Sequence, residues 1–502
     1  MSGGVVTGGR GDQPRRQCAA QSLSMLIAAT LAFIAYAAFF PDGGAGGLYT
    51  SWRCQQAASA GGGVEETTLS HVVFGIASSA RTWEKRRGYT ELWWRPGQMR
   101  GHVWLDEEPA SPWPAATSPP YRVSANASRF KPNVAASRIA SVVAESFFLA
   151  AKAAANGTTA AGVGGEVRWF VMGDDDTLFF PDNLVAVLRK YDHREMYYVG
   201  APSESVEQNV RHSYGTAYGG GGFAISYPAA AELAAAMDGC LGRYWRLYGS
   251  DERVHACLAE LGVPLTREPG FHQVDLRGDP YGFLAAHPVA PLVSLHHLDY
   301  LDPIFPSDGG RRTPLDAARS LVAASRLDQA RSLQQSFCYR RDGEGHTWSV
   351  AVAWGYTVQV YPWAVPPREL EAPLGTFKTW VKRADGPFVF KTRALSKDDD
   401  DGCARPVVFF LSHVRGNESA GGGGATVTEY ARHVVASEKK CDKPSFRAAA
   451  VVQKVRVLAP KMSPNDWKRA PRRHCCKMER TVQDSVLEVE IHHCGSGELA
   501  TP

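Results

Sequence analysis

The stretch Val167-Arg168-Trp169-Phe170-Val171-Met172-Gly173-Asp174-Asp175-Asp176-Thr177-Leu178-Phe179-Phe180 carries an apolar strand straight into three consecutive carboxylates. Like charges at the end of a buried strand repel one another, and nothing in fold stability requires them there. A hard divalent cation removes the repulsion, because Mn²⁺ and Mg²⁺ take carboxylate oxygens. Such an ion is suited to hold a diphosphate. The alternative is an acidic loop before a helix starting near Pro181, where Asp182 and its neighbours complement the helix dipole. A second acidic run, Asp398 to Asp401, serves as an internal comparison. It follows Lys397 and precedes Gly402 in polar sequence with no strand leading in, and reads as a solvated loop.

At 502 residues the chain allows two or three domains, and its formal net charge of +4 is too small to argue for nucleic acid as a partner. Leu23 to Phe40 is an uncharged, mostly apolar run of 18 residues behind Arg10, Arg15 and Arg16. That length approaches the ~20 residues that span a bilayer. The basic flank puts the N-terminus in the cytoplasm and everything after Phe40 in a lumen. A cleaved signal peptide competes with this reading, but the run exceeds the roughly 7–15 residues of such a core. Residues 1–22 then form a cytoplasmic tail and 23–40 a signal anchor. Residues 41–66, rich in Gly, Ala and Ser, form a flexible stem.

The cysteines agree with that compartment, since disulfides persist in the secretory pathway. Cys18 falls on the cytoplasmic side and Cys54 in the stem. The simplest arrangement pairs Cys240, Cys257, Cys338, Cys403, Cys441, Cys475, Cys476 and Cys494 internally and leaves Cys54 free or joined to a second chain as a dimer. No CxxC pair or Cys/His spacing suggests zinc, so the adjacent Cys475 and Cys476 read as two disulfide partners. Sequons at Asn126, Asn156 and Asn417 fit a lumenal region.

Beyond the stem, Leu69 to Ile76 and Val103 to Leu105 read as strands and Ser137 to Ala155 as a helix, its apolar residues near helical spacing. A strand at Val167 to Met172, a helix from about Asp182 to Lys190 and a strand at Tyr197 to Gly200 continue the alternation. This predicts an α/β sheet with parallel pairs. The glycine run Gly219 to Gly222 enters a strand at Phe223. It either cradles a ligand, because backbone without Cβ allows close approach, or forms a mobile turn. Ser250 to Leu261 has every helix signal, with Ser250 as N-cap, Asp251 and Glu252 in the first turn and Gly262 as stop. After Pro306 a helix is expected from Leu315 to Leu333, then strands at Thr347 to Tyr361, Pro406 to Ser412 and Ala448 to Leu458. These form a β-rich, Cys-rich appendage over 307–502, and its basic cluster Lys468, Arg469, Arg472 and Arg473 reads as solvated surface.

The order of the motifs carries a resemblance. A stem-anchored chain, a strand with an acidic triplet, Gly-Gly-Gly-Gly-Phe-Ala, Gly-Ser-Asp at a helix start and then Leu295-His296-His297-Leu298 resembles the fringe-like β-glycosyltransferases. More closely it is similar to the plant fringe-related proteins, whose shared domain is catalogued as one of unknown function. The resemblance covers about Leu69 to Phe305 and takes in Trp467-Lys468-Arg469-Ala470-Pro471-Arg472-Arg473-His474-Cys475-Cys476 near the C-terminus. It implies a GT-A fold over 67–306, a UDP-sugar donor with Mn²⁺ or Mg²⁺, a glycan or glycoconjugate acceptor and inversion at the anomeric carbon. By position it makes Asp174, Asp176 and His296 metal ligands, with adjacent His297 leaving the register open by one, and Asp251 the base. Ile76, Ala77, Ser78, Asp106, Asp174 and Asp175 would lie by the nucleotide, with Gly220 and Gly221. The segment Ala77 to Trp83 departs from the animal fringes, which leaves the base and sugar contacts there open.

The chemistry is coherent on the residues alone. Displacing UDP needs a Lewis acid against the diphosphate and a carboxylate to take the acceptor's proton. Asp251 also has a simpler role, as a first-turn acid worth roughly 0.3–1 kcal/mol. The expected function is that of a Golgi type II membrane glycosyltransferase. One rival is a lumenal protein that binds nucleotide sugar or glycan and transfers nothing; the other is a glycoside hydrolase, with two carboxylates and no metal. The topology predicts that the full-length protein stays in the membrane fraction after alkaline carbonate extraction, with glycosidase-sensitive glycans. A soluble chain beginning near Gly43 would instead mark a cleaved signal peptide.

Overall fold

Apolar strands with short helical connections build the first half of the protein. In the computed structural model, β1 (Val72–Ala77) is buried along its whole length and leads into α1 (Ala80–Trp93), whose N-cap Ser79 accepts the Thr82 amide at 3.1 Å. There follow β2 (Arg100–Leu105), β3 (Tyr121–Val123), α2 (Val134–Ala155), β4 (Trp169–Asp174), β5 (Leu178–Phe179), α3 (Pro181–Leu188), β6 (Tyr198–Gly200) and α4 (Val206–His212). Then come β7 (Phe223–Ser226), α5 (Tyr227–Arg243), α6 (Ser250–Glu260), β8 (Leu265–Arg267), β9 (Leu276–Gly278) and β10 (Ser294–Leu295). The structure describes residues 66–157, 165–306, 312–341, 345–381, 386–394, 403–417, 424–434, 441–481 and 485–502. The apolar run Leu23 to Phe40, the stem with Cys54 and the acidic run Asp398 to Asp401 lie outside the described residues.

Seven strands form one sheet in the order β3-β2-β1-β4-β7-β6-β8. β1 pairs in parallel with β2 on one side and β4 on the other, and only β7 runs antiparallel to its neighbours. The mixed α/β sheet with parallel pairs is therefore present. Strand order reverses between β1 and β4, and in open α/β sheets ligands bind outside the carboxyl ends of the strands at such a switch point. The register Ala77↔Asp174 puts the acidic triplet there. Helix α2 is long and apolar enough to cross a membrane, yet Ala140, Val142, Val143 and Ala144 are buried in a core cluster with Phe170, Met172 and Leu233. It is a core helix of this sheet.

The second half contains α7 (Pro314–Ser325), β11 (Gln335–Arg341), β12 (Thr347–Ala353), β13 (Thr357–Tyr361), β14 (Phe377–Thr379), β15 (Val407–Asn417), β16 (Ala425–Arg432), α8 (Pro444–Ala450), β17 (Lys454–Pro460), β18 (Cys475–Thr481) and β19 (Val486–His492). Eight of these strands form a second sheet, β11-β12-β13-β15-β16-β17-β19-β18. The disulfide Cys338–Cys476 joins its two outermost strands, so the sheet curls round on itself. Cys403–Cys441 and Cys475–Cys494 staple the same region, and Cys240–Cys257 ties α5 to α6. All eight cysteines assigned to internal pairs are paired, and Cys475 and Cys476 do serve two different bridges.

The β-rich, Cys-rich region is joined to the first sheet by one continuous core. Phe305, Tyr356, Phe377 and Leu374 belong to the same buried cluster as Val72, Phe74 and Trp93. β14 pairs with β9, the Tyr356 hydroxyl donates to the Ile304 carbonyl at 2.8 Å, and Gln359 donates to the Tyr281 hydroxyl at 2.8 Å.

Several expected boundaries shift for local reasons. The helix expected over 315–333 ends at Ser325, because Asp328 accepts the Arg331 amide at 3.2 Å and starts a separate 3-10 turn. The strand expected over 347–361 is a hairpin that turns at Gly355, where φ is 77°. Ala448 to Ala450 complete α8 before β17 starts at Lys454. The N-cap of α6 is Gly249, with Ser250 the first helical residue. Removing the bridge between the outer strands with Cys338→Ala is expected to cost about 2–5 kcal/mol. Denaturant unfolding of the full-length protein in oxidising buffer, compared with wild type, measures it.

Candidate metal centre

The pairing of two short strands assembles the site. β5 and β10 are antiparallel with Leu178 opposite Leu295, so the residues just before β5 and just after β10 lie side by side. That puts His296 Nε2 3.1 Å from Asp176 Oδ1 and 3.8 Å from Asp174 Oδ2. Asp174, Asp176 and His296 form the only group of three acid, His or Cys side chains among the described residues whose ligand atoms all lie within 4.8 Å of one another. The turn between the two acids is fixed by Thr177, whose hydroxyl accepts the Asp174 amide at 2.8 Å and donates to the Gly220 carbonyl at 2.7 Å.

The residues present suit a cation. Asp176 is 1% exposed, and its carboxylate is held by His296 Nε2 and by Arg86, each at 3.1 Å. Asp174 is more open, its side chain 37% exposed toward the cleft. Two carboxylates and an imidazole form a donor set for Mn²⁺ or a related divalent ion. His297, the other candidate for the ligand position, takes a left-handed backbone with φ 55°. Its ring stacks on Trp380 at 4.4 Å and its Nδ1 lies 3.6 Å from Asp275.

The charges are strongly coupled. Burial disfavours a charged His296, but Asp176, Asp174 and Asp275 outweigh it and raise the imidazole to about 9. Burial opposes ionisation of Asp176 too, yet His296 and Arg86 hold it below the usual carboxylate range. Asp174 is raised by the partial desolvation of its carboxyl, against the pull of His296, and by Asp176, Asp175 and Asp251; its 37% exposure tempers the rise. Asp251 is raised as well, chiefly by burial.

The other expected site residues fall into two groups. Ala77, Ser78, Asp106, Asp174 and Asp175 line a cleft of about 810 Å³ with Ser79, Thr82, Arg86 and Arg138. In it the Ser78 hydroxyl donates to Asp175 at 2.6 Å, and Asp106 accepts the Ala80 amide at 2.9 Å at the start of α1. Ile76 lies one residue deeper, buried in β1. Asp251 lines a small adjoining cavity with Asp174 and Gly219, its carboxylate oriented by the Gly219 amide at 3.1 Å and the Glu252 amide at 2.8 Å.

Gly220 and Gly221 sit beside the Asp174, Asp176 and His296 cluster. A Cβ on Gly220 would fall on the His296 ring, and one on Gly221 would meet the His272–Gln273 backbone at 3.0 Å. The run acts there by giving the histidine room. Sequence reasoning missed Arg86, which also pairs with Asp299 at 2.9 Å and donates to the Tyr300 hydroxyl at 3.0 Å. Its signal was the spacing of Ser79, Thr82 and Arg86 on one face of α1. Trp380, from the second half of the chain, was also missed.

Residues 208–476, more than half of the chain, match the family described as "Protein of unknown function, DUF604". The chain belongs to that family. Residues 124–277 match the family described as "Fringe-like". The fringe-like match takes in Asp174, Asp176, Gly220 and Asp251, and the longer one takes in Asp251, His296 and Trp380; β1, α1 and β2 precede both. Over 139 residues, 28% of the chain, it is 32% identical to proteins of mouse and human that are each named beta-1,3-glucosyltransferase. The chain spans about a quarter of the length of those curated relatives, 27% and 26%.

The coupled charges give a test. Because His296 is raised above its ordinary 6.5, its ion pair with Asp176 stabilises the metal-free fold fully below about pH 6.5, and that contribution is lost as pH rises through about 9. A cation needs this imidazole neutral, and Asp174 ionised, so binding releases protons. Mn²⁺ affinity of the full-length protein should rise about tenfold per pH unit for each proton released between pH 6 and 9. Gly220→Ala should abolish that binding. Calorimetry checks both, and an affinity independent of pH would remove His296 from the site.

Proposed function

We propose that this protein is a metal-dependent glycosyltransferase of GT-A type. It moves a hexose from a UDP-sugar to a glycan or glycoconjugate hydroxyl, with inversion at the anomeric carbon. The observation that carries the reading is the Asp174, Asp176 and His296 cluster at the switch point of the sheet, opening beside a cleft large enough for a nucleotide sugar. The fringe-like match over the acidic triplet and Asp251 supports it, as do the names of the mouse and human relatives.

A Mn²⁺ or Mg²⁺ ion held by Asp174, Asp176 and His296 would supply Lewis-acid charge against the departing diphosphate. Arg86 adds a fixed positive charge at the same wall of the cleft. Ser78 and Asp106, at the ends of β1 and β2, serve the nucleotide end. Asp251 faces the cavity it shares with Asp174, and its raised pKa makes it the better proton acceptor. In the transfer the acceptor oxygen bonds to the anomeric carbon, its proton passes to Asp251, and the bond from that carbon to the diphosphate breaks. Two backbone amides keep the Asp251 carboxylate oriented throughout.

The reading extends to topology: residues 1–22 cytoplasmic, 23–40 a Golgi signal anchor, 41–66 a stem that carries Cys54 for a possible dimer, and the rest lumenal. Within the lumenal part, 67–306 is the fringe-like transferase domain and 307–502 its Cys-rich C-terminal region. A UDP-sugar panel with Mn²⁺ on the full-length protein tests the activity. Asp251→Asn is expected to leave UDP-sugar and Mn²⁺ binding nearly intact and to lower turnover by about 10²- to 10⁴-fold. If Asp251 is only a first-turn acid, turnover persists and stability falls by at most about 1 kcal/mol. UDP binding without turnover by the wild type would make the protein a nucleotide-sugar binder.

A further inference from the structure

The cleft beside the metal centre is lined by two arginines whose surroundings differ. Arg86 is already paired with acids, Asp299 at 2.9 Å, Asp176 at 3.1 Å and Asp175 at 3.5 Å. Arg138, half-buried on α2, has no carboxylate within ion-pair distance among the described residues. Its guanidinium donates to the Ser78 carbonyl at 2.7 Å and to the Trp104 carbonyl at 3.2 Å, which pins it across the ends of β1 and β2. A guanidinium carries five N–H donors, so three remain. None of its nitrogens is buried without a partner, and the remaining donors are open to the cleft that the side chain lines.

Two neutral carbonyls orient this cation but bring no opposite charge. Burial disfavours the charged form and lowers the pKa, and Asp106, Glu145 and Asp174 offset that only in part, from beyond ion-pair distance. An anion at the three open donors would complete the site, and the sheet tells which anion. Strand order β2-β1-β4 puts Asp106 after β2, Arg138 across β2 and β1, and the acidic triplet after β4. Arg138 therefore lies between the nucleotide end of the cleft and the Asp174, Asp176 and His296 cluster. In a nucleoside diphosphate spanning that distance, the phosphate at Arg138 is the one joined to the ribose, and the second phosphate stands nearer the cluster.

We propose that Arg138 binds the ribose-linked phosphate of the donor directly and without the metal, a reading that rests on the transferase assignment because that assignment supplies the nucleotide. Three free donors suffice for two phosphate oxygens, and a charged donor on a phosphate is among the strong hydrogen bonds. The competing role is purely structural: an arginine that staples two strand ends through their carbonyls.

The full-length protein in EDTA would be titrated with uridine, UMP and UDP, followed by calorimetry and saturation-transfer NMR. UMP should bind about tenfold or more tighter than uridine, the value of one charge-assisted hydrogen bond, and the gap should narrow as salt is raised. Arg138→Met should bring UMP to within about twofold of uridine while uridine itself binds as before, which the loss of a structural staple would not do. Arg138→Lys keeps a point charge and loses the fork, so it should leave a gap of intermediate size. That variant decides the matter if Arg138→Met does not fold. Asp174→Asn should remove the tightening of UDP by Mn²⁺ and leave the gap between UMP and uridine intact. A gap that is absent in EDTA, that neither Arg138 substitution narrows, or that closes only because uridine weakens equally would overturn the proposal, and the transferase reading would stand as long as UDP binds with Mn²⁺. Failure of all three compounds to bind, with Mn²⁺ or without it, would overturn both.

Discussion

The buried contact between Asp176 and His296 is the interaction on which the rest of the site depends. Taking two ionisable groups out of water is expensive, and their mutual attraction offsets the cost only with close geometry and further partners. Here the geometry comes from the β5–β10 pairing, and the partners are Arg86 on one side and Asp174 on the other. The pair favours the fold while His296 is charged, although apolar residues of similar volume would serve the core as well. Arg86 and a protonated His296 balance the carboxylates.

That arrangement explains the glycines. A ring as large as imidazole can settle over the Gly219–Gly222 turn only where no Cβ projects, and Gly220 is that position. Gly222, at φ 81°, turns the chain into β7 beneath the acidic strand, and a Cβ there would strike Phe179. The acidic strand, the glycine turn and the β10 segment therefore form one packed unit, and a change in any one of them moves the histidine.

The second half of the chain takes part in this unit. Trp380 stacks on His297, next in sequence to His296, and β14 pairs with β9 a few residues from Asp275. The shared core around Phe305, Tyr356 and Phe377 packs the second half of the chain against the first. A cavity of about 690 Å³ lies at that junction, lined by His272 and His287 from the first half and Gln335 from the second.

Much was legible in the sequence because it rests on local signals. Strand periodicity, the acidic triplet at a strand's end and the first-turn acid of α6 are properties of neighbouring residues, and β4, its carboxylates and Asp251 stand close to where those signals put them. The even set of eight cysteines likewise predicted internal pairing. Tertiary structure alone decided which cysteine meets which, since eight allow 105 connectivities. It also chose His296 over His297: the two are equivalent in composition, and only the register of β10 against β5, with the left-handed turn at His297, sends one ring to Asp176 and the other to Trp380. Arg86, the role of Gly220 and the contact of Trp380 escaped the sequence for the same reason. Each depends on contacts between residues far apart in the chain, and these take shape only once the sheets are packed.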